Sequence, residues 1–173
     1  MLHITFAHMK TLTIVYRILT FILLPIAAIF GFIDLSLLLM ALANPAALLP
    51  VFAIACIVIY VFTSLSFLVK GIMGGRKCKP SLRDWIRVNA FVSIAFSGLG
   101  IIEYISLLNN KTVLGEVVKQ AMQQQSVPAG MTSGQLEQIL LSFLLFFFIF
   151  SVLLIIHIYM TFRLLKQFDY LFK

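Results

Sequence analysis

Four long apolar blocks recur along the chain: about Ile18 to Leu42, Ala46 to Val69, Val88 to Leu108 and Ile139 to Phe162. A helix rises 1.5 Å per residue, so about 20 apolar residues cross the roughly 30 Å hydrocarbon core of a bilayer. Each block meets that length. In lipid the backbone has to satisfy its own polar groups, and an α-helix does so within one segment. The pattern predicts an all-α fold: a polytopic transmembrane four-helix bundle forming a single integral membrane domain over 1–173. An inner basic loop over 70–87 and an outer polar loop over 109–135 complete it.

Charge is missing from Leu35 to Val69, so a turn has to part the first two blocks. Asn44-Pro45 supplies it: Pro disfavours helix in the residue before it, Asn caps a following helix, and Pro fits a first helical position. The alternative ends the first helix near Ile33 and lays Asp34 to Leu42 on the surface. Pro25 and Pro50 fall inside apolar blocks, where each removes a backbone hydrogen bond and bends its helix. The third helix starts with Ser81 as N-cap and Asp84 three residues on; the fourth starts with Thr132 and Gln135 in the same relation. Between them Leu114, Val117, Val118 and Ala121 recur at helical spacing, with Lys119, Gln120, Gln123 and Gln124 mainly off that stripe. This predicts a short outer amphipathic helix, followed by a turn at Val127-Pro128-Ala129-Gly130.

Composition strengthens the membrane reading. Hydrophobic residues make up 62% of the 173 and charged residues 11%, against about 45–50% and about 25% in soluble domains. The net charge of +7 would point to nucleic acid in a soluble protein. Here the cations flank apolar blocks and set topology, so nucleic acid is not an expected partner. Lys10 and Arg17 lie before the first block. Lys70, Arg76, Lys77, Lys79, Arg83 and Arg87 lie between the second and third. Arg163, Lys166 and Lys173 lie at the C-terminal end, and only Lys111 and Lys119 fall on the opposite side. The asymmetry predicts both termini and the basic loop on the inner side of a bacterial inner (plasma) membrane. The first block is too long for a cleaved signal, whose apolar region runs to about 15 residues, and it contains Asp34.

Ionisable groups inside a bilayer are costly and mark candidate sites. Asp34 and Glu103 both fall within about 8–12 Å of the outer boundary, where two carboxylates can share a proton or hold a cation. Each can instead reach the interface or accept a hydrogen bond from Tyr, Ser or Asn. His157 lies near the inner end of the fourth helix. It shares a face with Phe150, Leu153 and Leu154, which favours a packed, hydrogen-bonded histidine over a proton relay. Ala90, Ser93, Ser97 and Gly100 form a small-residue stripe on one helix face, suited to close helix packing. Thr63, Ser64 and Ser66 are expected to bond their own backbone. Arg76, Lys77, Lys79, Arg83 and Arg87 set topology and can meet anionic lipid headgroups.

Cys56 and Cys78 are too few for a disulfide framework and read as free thiols. No metal-ligand spacing, catalytic signature, phosphate-binding glycine motif or cofactor motif occurs. The expected role is therefore a non-enzymatic accessory, assembly or scaffold subunit that acts through helix packing. Its expected partners are the lipid bilayer and either a second copy or another membrane protein. The alternative is a small carrier or ion-conducting oligomer using Asp34 and Glu103. A membrane-embedded enzyme built on His157 ranks last, because the acids lie at the other end of the spans.

Overall fold

The computed structural model describes residues 2–123 and 132–173. The fold is all-α, and among the described residues it has five α-helices and no strand. They are α1 (Leu2–Ala41), α2 (Leu48–Ser66), α3 (Pro80–Asn109), α4 (Lys111–Gln123) and α5 (Ser133–Gln167). Four stretches are long and apolar enough to cross a membrane: Lys10–Ala41, Pro45–Met73, Pro80–Asn109 and Ser133–Gln167. The turn expected at Val127 to Gly130, and Gln124, lie outside the described residues.

The helices extend past the apolar blocks. α1 continues back through Arg17 and Lys10, because Lys and Arg are good helix formers whose stems can lie along apolar surface. Asn44 closes the α1–α2 hairpin: its side chain accepts from the Ala46 N–H at 3.2 Å, and a single 3₁₀ turn, Pro45–Ala47, leads into α2. Pro25 lies well inside α1. Pro50 instead falls in the first turn of α2, where a missing N–H costs least, so the expected loss of a ladder bond does not arise there.

The basic loop is shorter than the sequence implies. Phe67–Met73 continues α2 as a π-helical segment, and α3 begins at Pro80, which leaves 74–79 as the connection. Ser81 is not the cap of α3. Proline takes the first helical position, for which its fixed φ is already set, and Ser81 follows inside the first turn. α5 starts as expected: Thr132 Oγ1 accepts from the Gln135 N–H at 3.3 Å while Gln135 Oε1 accepts from the Thr132 N–H at 2.9 Å. These are the two halves of a capping box.

Two compact units make up the chain. The first holds residues 1–96 and 153–173. Its core contains Leu23, Phe67, Leu68, Ile86, Ala90, Leu154, Ile158 and Leu164, all fully buried. The chain end folds onto the loop as a 3₁₀ turn, Asp169–Phe172, with Leu171 and Phe172 buried. The Cys78 N–H donates to the Leu171 carbonyl at 2.7 Å, and the Phe67 and Phe172 rings sit 5.5 Å apart. Gly71 makes this possible. A Cβ there would lie 3.1–3.3 Å from Phe67, Cys78 and Leu171 at once. Gly75 turns the loop with φ of 59°, a conformation glycine adopts without strain.

The second unit holds residues 97–152. Asn110 caps α4, its side chain accepting from the Val113 N–H at 3.4 Å. α4 buries Leu114 and Val118 but leaves Val117 38% exposed, so the buried stripe is narrower than the spacing implies. Tyr104 stacks on Phe148 at 4.7 Å. Within the four candidate spans, Phe32, Leu39, Phe91 and Ile102 are each between 65% and 76% exposed. Apolar faces this extensive suit lipid as the surrounding medium.

Candidate functional site

Three helices of the first unit each carry a polar pair four residues apart: Tyr16 and Thr20 on α1, Tyr60 and Ser64 on α2, His157 and Thr161 on α5. Residues at i and i+4 share a helix face. In the fold these faces meet, and all six residues are fully buried.

His157 is the centre. Its Nε2 lies 2.9 Å from Thr20 Oγ1 and its Nδ1 lies 2.7 Å from the Tyr60 hydroxyl. That hydroxyl also lies 2.7 Å from Thr161 Oγ1. The Tyr16 ring stacks on the imidazole at 4.6 Å with 12° between planes, and Tyr60 meets it edge-on at 5.6 Å. Three bonds tie the cluster to backbone: Tyr16 to the Ser64 carbonyl (3.3 Å), Thr20 to the Tyr16 carbonyl (2.8 Å) and Thr161 to the His157 carbonyl (2.8 Å).

Counting protons shows what this arrangement can do. Thr20, Tyr60, Thr161 and the imidazole share five contacts: the Thr20–His157, His157–Tyr60 and Tyr60–Thr161 pairs, and the two threonine bonds to backbone. Three hydroxyls and a neutral ring supply four protons. With the ring proton on Nε2, Thr161 has one proton for two acceptors. With it on Nδ1, Thr20 has one proton for two acceptors. The two tautomers therefore each leave one contact unfilled, at opposite ends of the same chain of bonds. The ring is held on both nitrogens, one face and one edge, so the cluster fixes the rotation of α1, α2 and α5 against each other.

Asp34 lies elsewhere in this unit. It lines a cleft of about 380 Å³ between α1 and α2, with Ala28, Gly31, Leu35, Ala55, Val58 and Phe62. Its Oδ1 is enclosed and has no hydrogen-bond partner. Glu103 belongs to the second unit and is exposed on α3. Of the small-residue stripe, Ala90 and Ser93 are buried in the first unit. Ser97 is buried in the second, where a Cβ on Gly100 would lie 3.8 Å from Ser151 Oγ. Thr63 and Ser64 bond carbonyls of their own helix.

The basic residues differ in their engagements. Arg76, Lys77, Lys79 and Arg87 are exposed. Arg83 donates to Asp169 at 2.7 Å and lies over the Phe172 ring at 5.8 Å, while its Nε is buried without a partner. Lys173 also donates to Asp169, at 3.1 Å. The bond from Lys173, with the nearby charges of Lys173 and Arg83, holds the Asp169 carboxyl below its ordinary range. Both cysteines are free and buried; burial pushes the Cys78 thiol up, against the opposing charge of Lys70. Among the described residues no group of three or more His, Cys, Asp or Glu could hold a metal ion.

The sequence singles out His157 but not its partners. Tyr16, Thr20 and Tyr60 lie 141, 137 and 97 positions away, and hydropathy does not report how helices rotate against one another. A usable signal was present: three polar i, i+4 pairs in otherwise apolar stretches. Comparisons with protein-family models, with curated proteins and with solved structures gave no match.

Proposed function

We propose that the chain is a non-enzymatic assembly subunit of a membrane complex, and that it holds a partner's transmembrane helix at the Asp34 cleft. The observation that carries this reading is the enclosed, unpartnered Asp34 Oδ1 in a cleft walled by apolar side chains. An acidic side chain costs about 2.5–3.5 kcal/mol at the centre of a membrane helix on insertion scales and less toward its ends, and such groups pair with a neighbour. Asp34 lies seven residues from the end of α1, about 10 Å along the helix axis. The apolar middles of the spans offer it no cation; the Lys and Arg of the spans lie toward the other end of the helices. No Lys or Arg occurs between Arg17 and Lys70, between Arg87 and Lys111, or between Lys119 and Arg163. A second copy has the same lack, so a Lys or Arg that pairs with Asp34 belongs to a different chain. The deeply buried polar side chains of the first unit (Thr20, Ser64, Asn89, Ser93, His157 and Thr161) are engaged with one another or with backbone. That favours binding over turnover.

A polyleucine helix of about 21 residues with one lysine near an end, reconstituted with the protein in vesicles, tests the cleft. Association read by energy transfer is expected to weaken about 5- to 30-fold in Asp34→Asn, the range for a polar pair of about 1–2 kcal/mol between membrane helices. Equal association of wild type and Asp34→Asn, or a homodimer that Asp34→Asn dissolves, would overturn the reading. Carboxylate-dependent ion flux with no partner present would favour a carrier instead.

The proposal includes the orientation, with both termini and the basic loop inside a bacterial plasma membrane. It is supported by the distribution of Lys and Arg between loops. Cys78 is a poor probe because it is buried. In a background with both cysteines replaced by serine, an exterior thiol reagent should label Lys119→Cys and spare Lys77→Cys.

A further inference from the structure

We infer that the first unit binds one anionic phospholipid between α3 and α5, with the phosphate held by Arg87 and Lys166 and an acyl chain laid over Phe91 and Phe162. This rests on observations separate from the Asp34 cleft. A pocket of about 600 Å³ is lined by Arg87, Phe91, Phe162, Leu165, Lys166 and Asp169. α3 and α5 run antiparallel here, since Arg83 pairs with Asp169 while Phe91 meets Phe162 at 5.5 Å. On each helix the cation and the ring are four residues apart, so they share a face, one above the other. Because the helices are antiparallel, both cations lie toward the loop end and both rings lie about 6 Å deeper, at 1.5 Å per residue. A membrane lipid has the same order of groups along its length: charge at the surface, hydrocarbon beneath.

The charge balance of the pocket is positive. Its one acid, Asp169, is already neutralised by Arg83 at 2.7 Å and Lys173 at 3.1 Å. Arg87 and Lys166 are exposed, and neither is in an ion pair among the described residues. Phe91 is 65% exposed, a large apolar surface left open beside them. Trp85 and Tyr170, 56% and 62% exposed on the same unit, are side chains that favour the level of lipid headgroups. A free phosphate would use the cations but not the rings. The stacked order of the two kinds of group selects the lipid.

The test uses the full chain, delipidated in a neutral detergent and titrated with phosphatidylglycerol or with phosphatidylcholine of the same acyl chains. Bound lipid is counted by native mass spectrometry. One phosphatidylglycerol should be retained in preference to phosphatidylcholine. Arg87→Gln/Lys166→Gln should weaken that retention by about 10- to 30-fold, the effect of removing two juxtamembrane cations. Lys77→Gln/Lys79→Gln, equal in charge removed but outside the pocket, should leave it within about twofold. Both double variants alter exposed side chains, and an unchanged melting temperature confirms that each is folded. Phe91→Ala should weaken the long-chain lipid and leave dihexanoyl phosphatidylglycerol unaffected. Three results would overturn the inference: equal loss in the two double variants, no preference for the anionic lipid, or displacement of the lipid by millimolar inorganic phosphate.

Discussion

The two units of this chain hold together by different means. In the first, side chains from distant parts of the sequence bond across helices: Thr20 and Tyr60 to His157, Tyr60 to Thr161, Arg83 to Asp169. In the second, the side-chain hydrogen bonds seen among the described residues stay within about one turn: Asn110 to Val113, Thr132 to Gln135, Ser142 to Gln138. Among the described residues its helix-to-helix contacts include ring stacking between Tyr104 and Phe148 and the close approach of Gly100 to Ser151. In lipid, apolar surface gains little by leaving one apolar neighbour for another, so cohesion depends on packing and on polar bonds. The first unit has both. It also carries both sites proposed above, which need fixed geometry to work.

The largest effect is expected from removing the centre of the network. His157→Leu should destabilise the protein by about 2–4 kcal/mol, because Tyr60 and Thr20 then lose a partner in a buried setting. Unfolding in mixed micelles with a denaturing detergent measures this. Tyr60→Phe keeps the ring and removes one hydroxyl, so a loss of about 1–2 kcal/mol is expected. Combined with Thr161→Val it should cost clearly less than the two singles added, since both changes cut the same bond. In the second unit, Tyr104→Leu should cost about 1 kcal/mol or less, the range for an aromatic pair beyond its area. A loss there as large as that for His157→Leu would remove the contrast.

The smallest effect is expected at the loop end. Arg83→Gln removes one of two cations on a half-exposed carboxylate, in a pair that water screens. The Asp169 carboxyl is held below its ordinary range in the folded state. Its contribution is therefore present above the pKa of the unfolded chain and fades as pH falls through the folded one. The stability difference between wild type and Arg83→Gln should be present at neutral pH and shrink as the solution is acidified below the usual carboxylate range. A difference independent of pH would mean the arginine acts through its contact with Phe172 alone.

How much of this was legible in the sequence follows from what each feature depends on. The four spans depend on apolar run length, which is a one-dimensional property. The Asn44–Pro45 turn and the Thr132–Gln135 cap depend on neighbours three residues apart or fewer. The start of α3 is ambiguous in the sequence because Ser81 and Pro80 both carry start signals, and the fixed φ of proline decides it. The basic loop is shorter than the run of charge implies because charge does not end a helix: Lys70 and Arg87 are helical. The His157 network and the Arg87–Lys166 pocket depend on helix rotation, set by contacts spanning 48 to 141 positions. Single-chain hydropathy holds no record of that angle.

The contrast between the units can be read most directly outside the lipid, where the bilayer does not shield the backbone. Hydrogen exchange of the protein in nanodiscs reports on the Cys78 amide, bonded to Leu171, and the Leu171 amide, bonded to Phe168. It also reports on the amides of α4, a 13-residue helix of a length that is marginal on its own. The account predicts that the Cys78 and Leu171 amides exchange at least about tenfold more slowly than those of Val117 to Ala121. Equal rates, or slower exchange in α4, would contradict it.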